Sequence, residues 1–384
     1  MPIFPKKLSR KLENRKQKNA LRILPNSNNL IDFYSNDYIG FSKNKVIFEN
    51  ASQLLFANNF KQNGATGSRL ISGNHNLYSQ LENTIIDFHH VEAALVFNSG
   101  YDANIGFFSA VLQRGDLVFY DEYVHASIRD GIAMSNAKAY KFKHNEIEDL
   151  KQLVERLVVS TENEVYIVTE SVFSMDGDSP NLKAFADFTT DNNFHFIVDE
   201  AHAIGVFGDK GQGLLHELGI QDQVFAQIVT FGKAMGCHGA AVLGSIQLKN
   251  YLVNFARSFI YTTGLSPHAV ATIISAYQEL LRQNKNREKL LENISFFKNQ
   301  IEELNIASLF IKSEAAIQCS VISGIDNVKK LALKIEEKGY SVKPILSPTV
   351  PSGQERLRFC LHSYNSKEEI KNLLVTLNKN YNNG

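Results

Sequence analysis

Lysine is seldom fully buried without a task, and in TFGKAMGCHGAAVLG (Thr230 to Gly244) Lys233 lies directly beyond an apolar run and among small residues. A desolvated amine there has the lowered basicity that imine chemistry needs, although the same placement suits a lysine bridging to solvent or to a glutamate. A second pattern, VDEAHAIGVFG (Val198 to Gly208), sets Asp199 straight after an apolar run and His202 three residues later. A carboxylate at a strand end can hold a heterocyclic cation, with His202 reaching a neighbouring oxygen; the plainer alternative is Asp199 as a helix cap. The DEAH letters also occur in ATP-driven helicases, but no GxxxxGKS or GxxxxGKT phosphate loop accompanies them here. In NSGYDANIG (Asn98 to Gly106), Gly100 allows a close backbone turn and the following helix would aim its free N–H groups at an anion, while a strand-to-helix turn wants glycine in any case. In ESVFSMDGDSPNL (Glu170 to Leu182), Ser174 and Asp176 fall on a loop; DGD lacks the further spaced oxygens and terminal glutamate of an EF-hand, so no calcium or other metal is expected.

Residues of this kind collect where apolar strands end at the rim of an open parallel sheet. The runs that would carry them are AALVF (Ala93 to Phe97), DLVFY (Asp116 to Tyr120), VYIVTE (Val165 to Glu170), FHFIVD (Phe194 to Asp199) and QIVTF (Gln227 to Phe231). They read as strands buried on both faces. Helical stretches between them imply crossover connections, an α/β class and a mainly parallel sheet. Residues 1–45 read as an N-terminal helix and arm, with a polar turn at Pro25 to Asn29 and a short β run at Leu30 to Ser35. Residues 46–270 form the large domain and 271–384 a linker helix, expected within 268 to 305, and a smaller α+β domain. Strands are expected at Ala316 to Ile322 and Arg356 to Leu361 and a helix around Val328 to Lys338, and Ser366 with Glu369 has capping-box spacing for the last helix. An anion-binding helix start, an acid with a histidine and a buried lysine on successive rims together describe a pocket for pyridoxal 5'-phosphate.

Composition narrows the partners. A chain of 384 residues holds two or three domains at roughly 150 residues each. Lys plus Arg (40) balance Asp plus Glu (40), which removes the basic footprint of general nucleic-acid binding. Three scattered cysteines, Cys237, Cys319 and Cys360, build neither a disulfide framework nor a zinc site by themselves. No apolar run reaches the ~18 residues that cross a bilayer, and a cytoplasmic location is expected. Lys6, Lys7, Arg10, Lys11, Arg15, Lys16, Lys18 and Arg22 face a single acid, Glu13, and Leu8 and Leu12 lie one turn apart. An amphipathic helix packed on the body is expected there rather than a transit peptide.

Nine segments in order resemble the α-oxoamine synthases, a branch of the fold-type-I pyridoxal-phosphate transferases: FYSNDYIGF (Phe33 to Phe41), GATGSRLISGN (Gly64 to Asn74), NSGYDAN, YVHASIRDG (Tyr123 to Gly131), TESVFSMDGD, VDEAHAIGVFG, TFGKAMG, FIYTTGLSP (Phe259 to Pro267) and PTVPSGQERLR (Pro348 to Arg358). The likeness runs from about Leu12 to the C-terminus. It implies that Lys233 carries the cofactor as a Schiff base, Asp199 pairs with the pyridinium nitrogen and His202 bonds the ring hydroxyl. His125 would stack on the ring, with Gly100, Tyr101, Ser174 and Thr230 beside the cofactor. Thr263 matches a threonine that reaches the phosphate from a neighbouring subunit, which implies a homodimer. On the substrate side the resemblance implies that Arg358 grips an amino-acid carboxylate, Thr349 contacts substrate, Asn36 lies in the opening motif and Arg22 meets the distal carboxylate of a pimeloyl group. Without the resemblance, Arg358 reads as a surface-paired strand residue and His125 as a satisfied core histidine.

The implied reaction is the decarboxylative condensation of L-alanine with a pimeloyl thioester, on coenzyme A or acyl carrier protein, in biotin biosynthesis. GSRLISGN and GCHGAAVLG lean that way. Glycine C-acetyltransferase, 5-aminolevulinate synthase and sphingoid-base synthases share the chemistry, and a pocket that separates glycine from alanine turns on one methyl group, worth ~1–3 kcal/mol. A non-catalytic scaffold member of the family would be expected to lack Lys233. The chain departs from the family pattern at Tyr78, Gly264, Ser266 and Asn365, none of which matches a cofactor contact.

Overall fold

The computed structural model describes residues 4–24, 29–157 and 163–382. The chain divides into two compact units, one of residues 36–174 and 179–288, the other of residues 1–35, 175–178 and 289–384.

The first unit is built on a seven-stranded sheet in the order Ala93–Phe97, Ala240–Gly244, Ala226–Thr230, His195–Asp199, Val165–Glu170, Leu117–Asp121, Lys138–Phe142. All neighbours run parallel except Ala240–Gly244, which is antiparallel to both of its partners. The expectation of an α/β fold with a mainly parallel sheet holds because the inner strands are predominantly apolar and buried along nearly their whole length. Successive residues of such a strand face opposite sides: Phe196 and Val198 join a core with Phe119, Phe142 and Phe185, while Ile197 joins another with Phe107, Phe108 and Ile128. Two strands escaped the sequence pattern. Lys138–Phe142 is an edge strand whose lysines are solvent-exposed, and Ala240–Gly244 is a short run set between glycines in the segment read as the surroundings of Lys233.

The residue after Asp199 has a purely structural task. Glu200 is fully buried and its carboxylate accepts N–H groups of Leu214 (2.7 Å) and Leu215 (3.1 Å), capping the short helix Leu214–Leu218, and the Gln227 amide. Gly213, at φ +123°, has to be glycine because a Cβ there would collide with that carboxylate.

The second unit holds a three-stranded antiparallel sheet, Lys343–Ile345, Arg356–Cys360 and Ile317–Val321, with helices Ile325–Glu336 and Lys367–Asn382. Ile31–Asp32 adds a short parallel pair with Tyr340–Ser341. The capping box forms as expected: the Ser366 N–H donates to Glu369 Oε2 (2.7 Å) and the Glu369 N–H to Ser366 Oγ (3.2 Å). The DGD loop belongs here, where Asp176 is buried in an ion pair with Arg356 and Gly177 turns at φ +77° against the Ile317 carbonyl.

Two expectations need correction. The single linker helix is two, Pro267–Arg282 and Lys285–Glu303, interrupted at the extended residue Gln283. The N-terminal helix forms at Lys6–Gln17 but buries no residue, and Leu8 (47% exposed) and Leu12 (51%) are too little apolar surface to seat it. The turn expected at Pro25 to Asn29 lies, except for Asn29, outside the described residues.

Removing one member of a buried ion pair strands the other, so Asp176→Ala is expected to lower unfolding free energy by about 3–5 kcal/mol in urea titrations; a loss below about 1 kcal/mol would contradict the buried pairing. Burial raises the Glu200 pKa from 4.5 to about 7. The folded state therefore holds this proton more tightly than the unfolded chain, and the associated stability is present below pH 4.5 and lost as pH rises through about 7. Glu200→Gln should remove this component, so that the variant gains on the wild type between pH 5 and 8 by up to ~3 kcal/mol. A wild-type-minus-variant difference that stays flat with pH would contradict it.

Candidate active site

The carboxyl ends of the parallel strands converge on one cavity of about 200 Å³. At its floor Asp199, 5% exposed, ends its strand in register with Glu170 on the neighbouring strand. Its Oδ1 accepts the Ala201 N–H (2.9 Å) and its Oδ2 the Nδ2 of Asn104 (3.0 Å), so the acid is held by donors rather than serving as a helix cap. Asn104 reaches it from the helix Gly100–Val111, whose start is capped by Ser99 Oγ accepting the Asp102 N–H (3.0 Å). The N–H groups of the first helical residues, Gly100 and Tyr101, have no acceptor within the helix and face the rim as donors for an anion.

Lys233 is brought to the same rim by the turn between Ala226–Thr230 and Ala240–Gly244. The Phe231 N–H bonds to the Gly239 carbonyl (2.9 Å) and the Cys237 N–H to that of Phe231 (2.7 Å). Gly236, at φ +63°, lies where a Cβ would run into the Ser42 backbone. Lys233 Nζ is 2.7 Å from His202 Nε2, and His202 Nδ1 is 2.7 Å from the Tyr38 hydroxyl, which donates to Asn36 Oδ1 (3.1 Å). The lysine thus meets an imidazole, with the Glu170 and Asp199 carboxyl groups in the same cavity wall.

His125 begins the helix Ala126–Ala133, donates its backbone N–H to Glu170 Oε1 (2.5 Å) and sets Nδ1 2.7 Å from Ser127 Oγ. Desolvation in the cavity wall holds its pKa below the usual histidine value, with Asp199 opposing and Lys233 reinforcing the shift. Burial, then the Asp199 charge, pushes Glu170 well above the usual carboxylate range.

Of the residues predicted from sequence, Gly100, Tyr101, His125, Asp199, His202, Thr230 and Lys233 line this cavity. Asn36 is joined to it through Tyr38. Ser174 is half-buried beyond the strand end and does not line it; Thr263 is exposed, its carbonyl accepting from Asn98 Nδ2 (2.6 Å). In the other unit, Arg22 and Thr349 line a separate cavity of about 580 Å³ with Leu24, Ile345 and Lys343, and Arg22 Nη2 lies 3.5 Å from Thr349 Oγ1. Arg358 is buried on its strand rather than surface-paired, with Nη1 2.9 Å from Cys360 Sγ. Sequence reasoning missed Asn104, Ser127 and Glu170 as cavity residues. Each had a positional signal: Asn104 is one helical turn after Gly100, Ser127 two residues after His125, and Glu170 the last residue of its apolar strand.

The donor set fits pyridoxal 5'-phosphate. It combines an amine for an aldehyde, a buried carboxylate for a pyridinium nitrogen, an imidazole for a ring oxygen, and a helix start beside a threonine hydroxyl for a phosphate.

Residues 28–377 match the family model of class I and II aminotransferases. The chain is 40% identical to the 8-amino-7-oxononanoate synthase of Emericella nidulans, covering 96% of this chain and 93% of that one. Among solved structures it is similar to the 8-amino-7-oxononanoate synthase of Francisella tularensis, at 29% identity, a TM-score of 0.78, and coverage of 92% of this chain and 98% of that one. It is also similar to the serine palmitoyltransferase of Sphingomonas wittichii, at 26% identity, a TM-score of 0.85, and coverage of 92% and 88%. A cavity of this donor set on a mainly parallel sheet, together with identity at this level over nearly the full length, places the chain in the class I and II aminotransferase family, where it belongs to the pyridoxal-phosphate-dependent 8-amino-7-oxononanoate synthases.

Proposed function

We propose that this chain condenses L-alanine with a pimeloyl thioester, carried on coenzyme A or acyl carrier protein, with loss of carbon dioxide, to give 8-amino-7-oxononanoate for biotin biosynthesis. The observation that carries the reading is the Lys233 amine 2.7 Å from His202 Nε2 in the cavity floored by Asp199, in a chain whose relatives bear that name. Pyridoxal 5'-phosphate, when bound, supplies an electron sink for negative charge at the amino acid's alpha carbon.

The chain's own residues do the rest. Lys233 holds the cofactor and, once free, moves the alpha proton; His202 accepts at its Nε2 and keeps that amine aimed. Asp199, held by two donors, would pair with the pyridinium nitrogen without reorganising. His125, His202, Gly100, Tyr101 and Thr230 of the cavity wall would hold the cofactor, with His125 assigned to the ring face and His202 to the ring oxygen; Ser174, assigned beside it by resemblance, lies outside that lining. Arg358 is assigned to the amino-acid carboxylate and Thr349 to substrate contact. Arg22 is assigned to the distal carboxylate of the acyl group, supported by its place in a cavity that also has apolar walls. Asn36 supports His202 through Tyr38.

The enzyme is proposed to work as a homodimer, Thr263 reaching the phosphate of a second copy. Exposed Thr263 and large exposed apolar side chains, Phe56 and Ile71 at 84% each, support that assignment. No described helix is long and apolar enough to cross a membrane; the proposed location is the cytoplasm. The higher TM-score with the serine palmitoyltransferase carries no rival substrate, because a shared scaffold reports fold and the pocket decides chemistry.

Carbon dioxide release measured with alanine, glycine and serine against pimeloyl and acetyl thioesters tests the proposal. Alanine with the pimeloyl thioester is expected to have the highest kcat/KM, by about 10-fold or more over glycine. Preference for glycine with acetyl-coenzyme A would overturn the assignment.

A further inference from the structure

We propose that Ser127 and Asn104 are positioning residues that fix His125 as its Nε2–H tautomer and couple it to the Asp199 carboxylate, an inference that rests on the cofactor site above. Asn104, 2% exposed, lies with Nδ2 3.0 Å from Asp199 Oδ2 and 2.9 Å from Ser127 Oγ. An ionised carboxylate only accepts, so the Asn104 group that faces it is the amide NH₂, and its second hydrogen goes to Ser127 Oγ. This orientation is kept although the Asn104 Oδ1 is buried without a hydrogen-bond partner, so the two donated bonds decide it.

Ser127 is fully buried, and its hydroxyl, having accepted from Asn104, directs its own hydrogen to His125 Nδ1 at 2.7 Å. The Ser127 backbone N–H points at the same nitrogen from 3.3 Å. Two donors converging on Nδ1 leave no room for a proton there, and the proton of the neutral ring sits on Nε2.

The consequence is functional. Occupation of the Nδ1 lone pair by two donors opposes its protonation and so keeps His125 neutral beside Lys233. Since Asn104 donates to Asp199 and Ser127 together, displacing that carboxylate also disturbs the hydroxyl that orients the imidazole.

The test is nitrogen NMR of the full-length protein with ¹⁵N-labelled histidine, with and without bound pyridoxal 5'-phosphate, the His125 signal being assigned by its loss in His125→Asn. The wild type is expected to show the Nε2–H pattern in both states. Ser127→Ala should give a tautomer mixture and raise the His125 midpoint by about one pH unit, Asn104→Ala should shift it the same way, and Ser127→Thr should restore the wild-type pattern. The charged groups facing this ring, Asp199, Lys233, Arg129 and Asp130, with Glu170 at its backbone N–H, are unchanged in the two serine variants. An Nδ1–H wild type overturns the proposal even where a variant does not fold, as does an unmoved midpoint in Ser127→Ala. A chain that takes up no pyridoxal phosphate counts against the proposed function and leaves the tautomer result standing.

Discussion

A carboxylate almost closed off from water is costly unless donors replace its hydration. Asp199 meets that requirement with the Ala201 N–H on its own chain turn and the Asn104 amide from a neighbouring helix. Both donors hold its position while leaving it in the wall of the cavity, where a cation can still be paired. The site is organised around this constraint. Glu170, its neighbour in register, is pushed well above the usual carboxylate range by burial and by the Asp199 charge.

The scaffold explains why these groups meet. Inner strands buried on both faces gather most of their polar residues toward their ends, and parallel direction puts the carboxyl ends on one side. The antiparallel strand Ala240–Gly244 then folds the chain straight back after Thr230, so the turn that holds Lys233 is anchored at both of its ends.

Much of this was legible in the sequence. Val165 to Glu170 and Phe194 to Asp199 declared themselves as strands, because continuous apolar runs of that length have few other uses, and Lys233, Asp199 and His202 stood out as polar residues at their ends. What stayed hidden depends on contacts between distant segments. Ser127 is an ordinary residue in YVHASIRDG until Asn104 comes within 2.9 Å of it, and Tyr38 shows no link to His202 164 residues away. Nothing in the sequence marks Glu200 as a helix cap, because the Leu214 and Leu215 N–H groups it accepts come from a segment more than a dozen residues on. The linker helix appeared unbroken because neither glycine nor proline marks the break at Gln283.

The most direct measurement of the central claim is covalent. The protein, loaded with pyridoxal 5'-phosphate and reduced with borohydride, is digested and its peptides mapped by mass spectrometry. The account predicts a pyridoxyl group on the Nζ of Lys233; a label on another lysine, or on none, would contradict it.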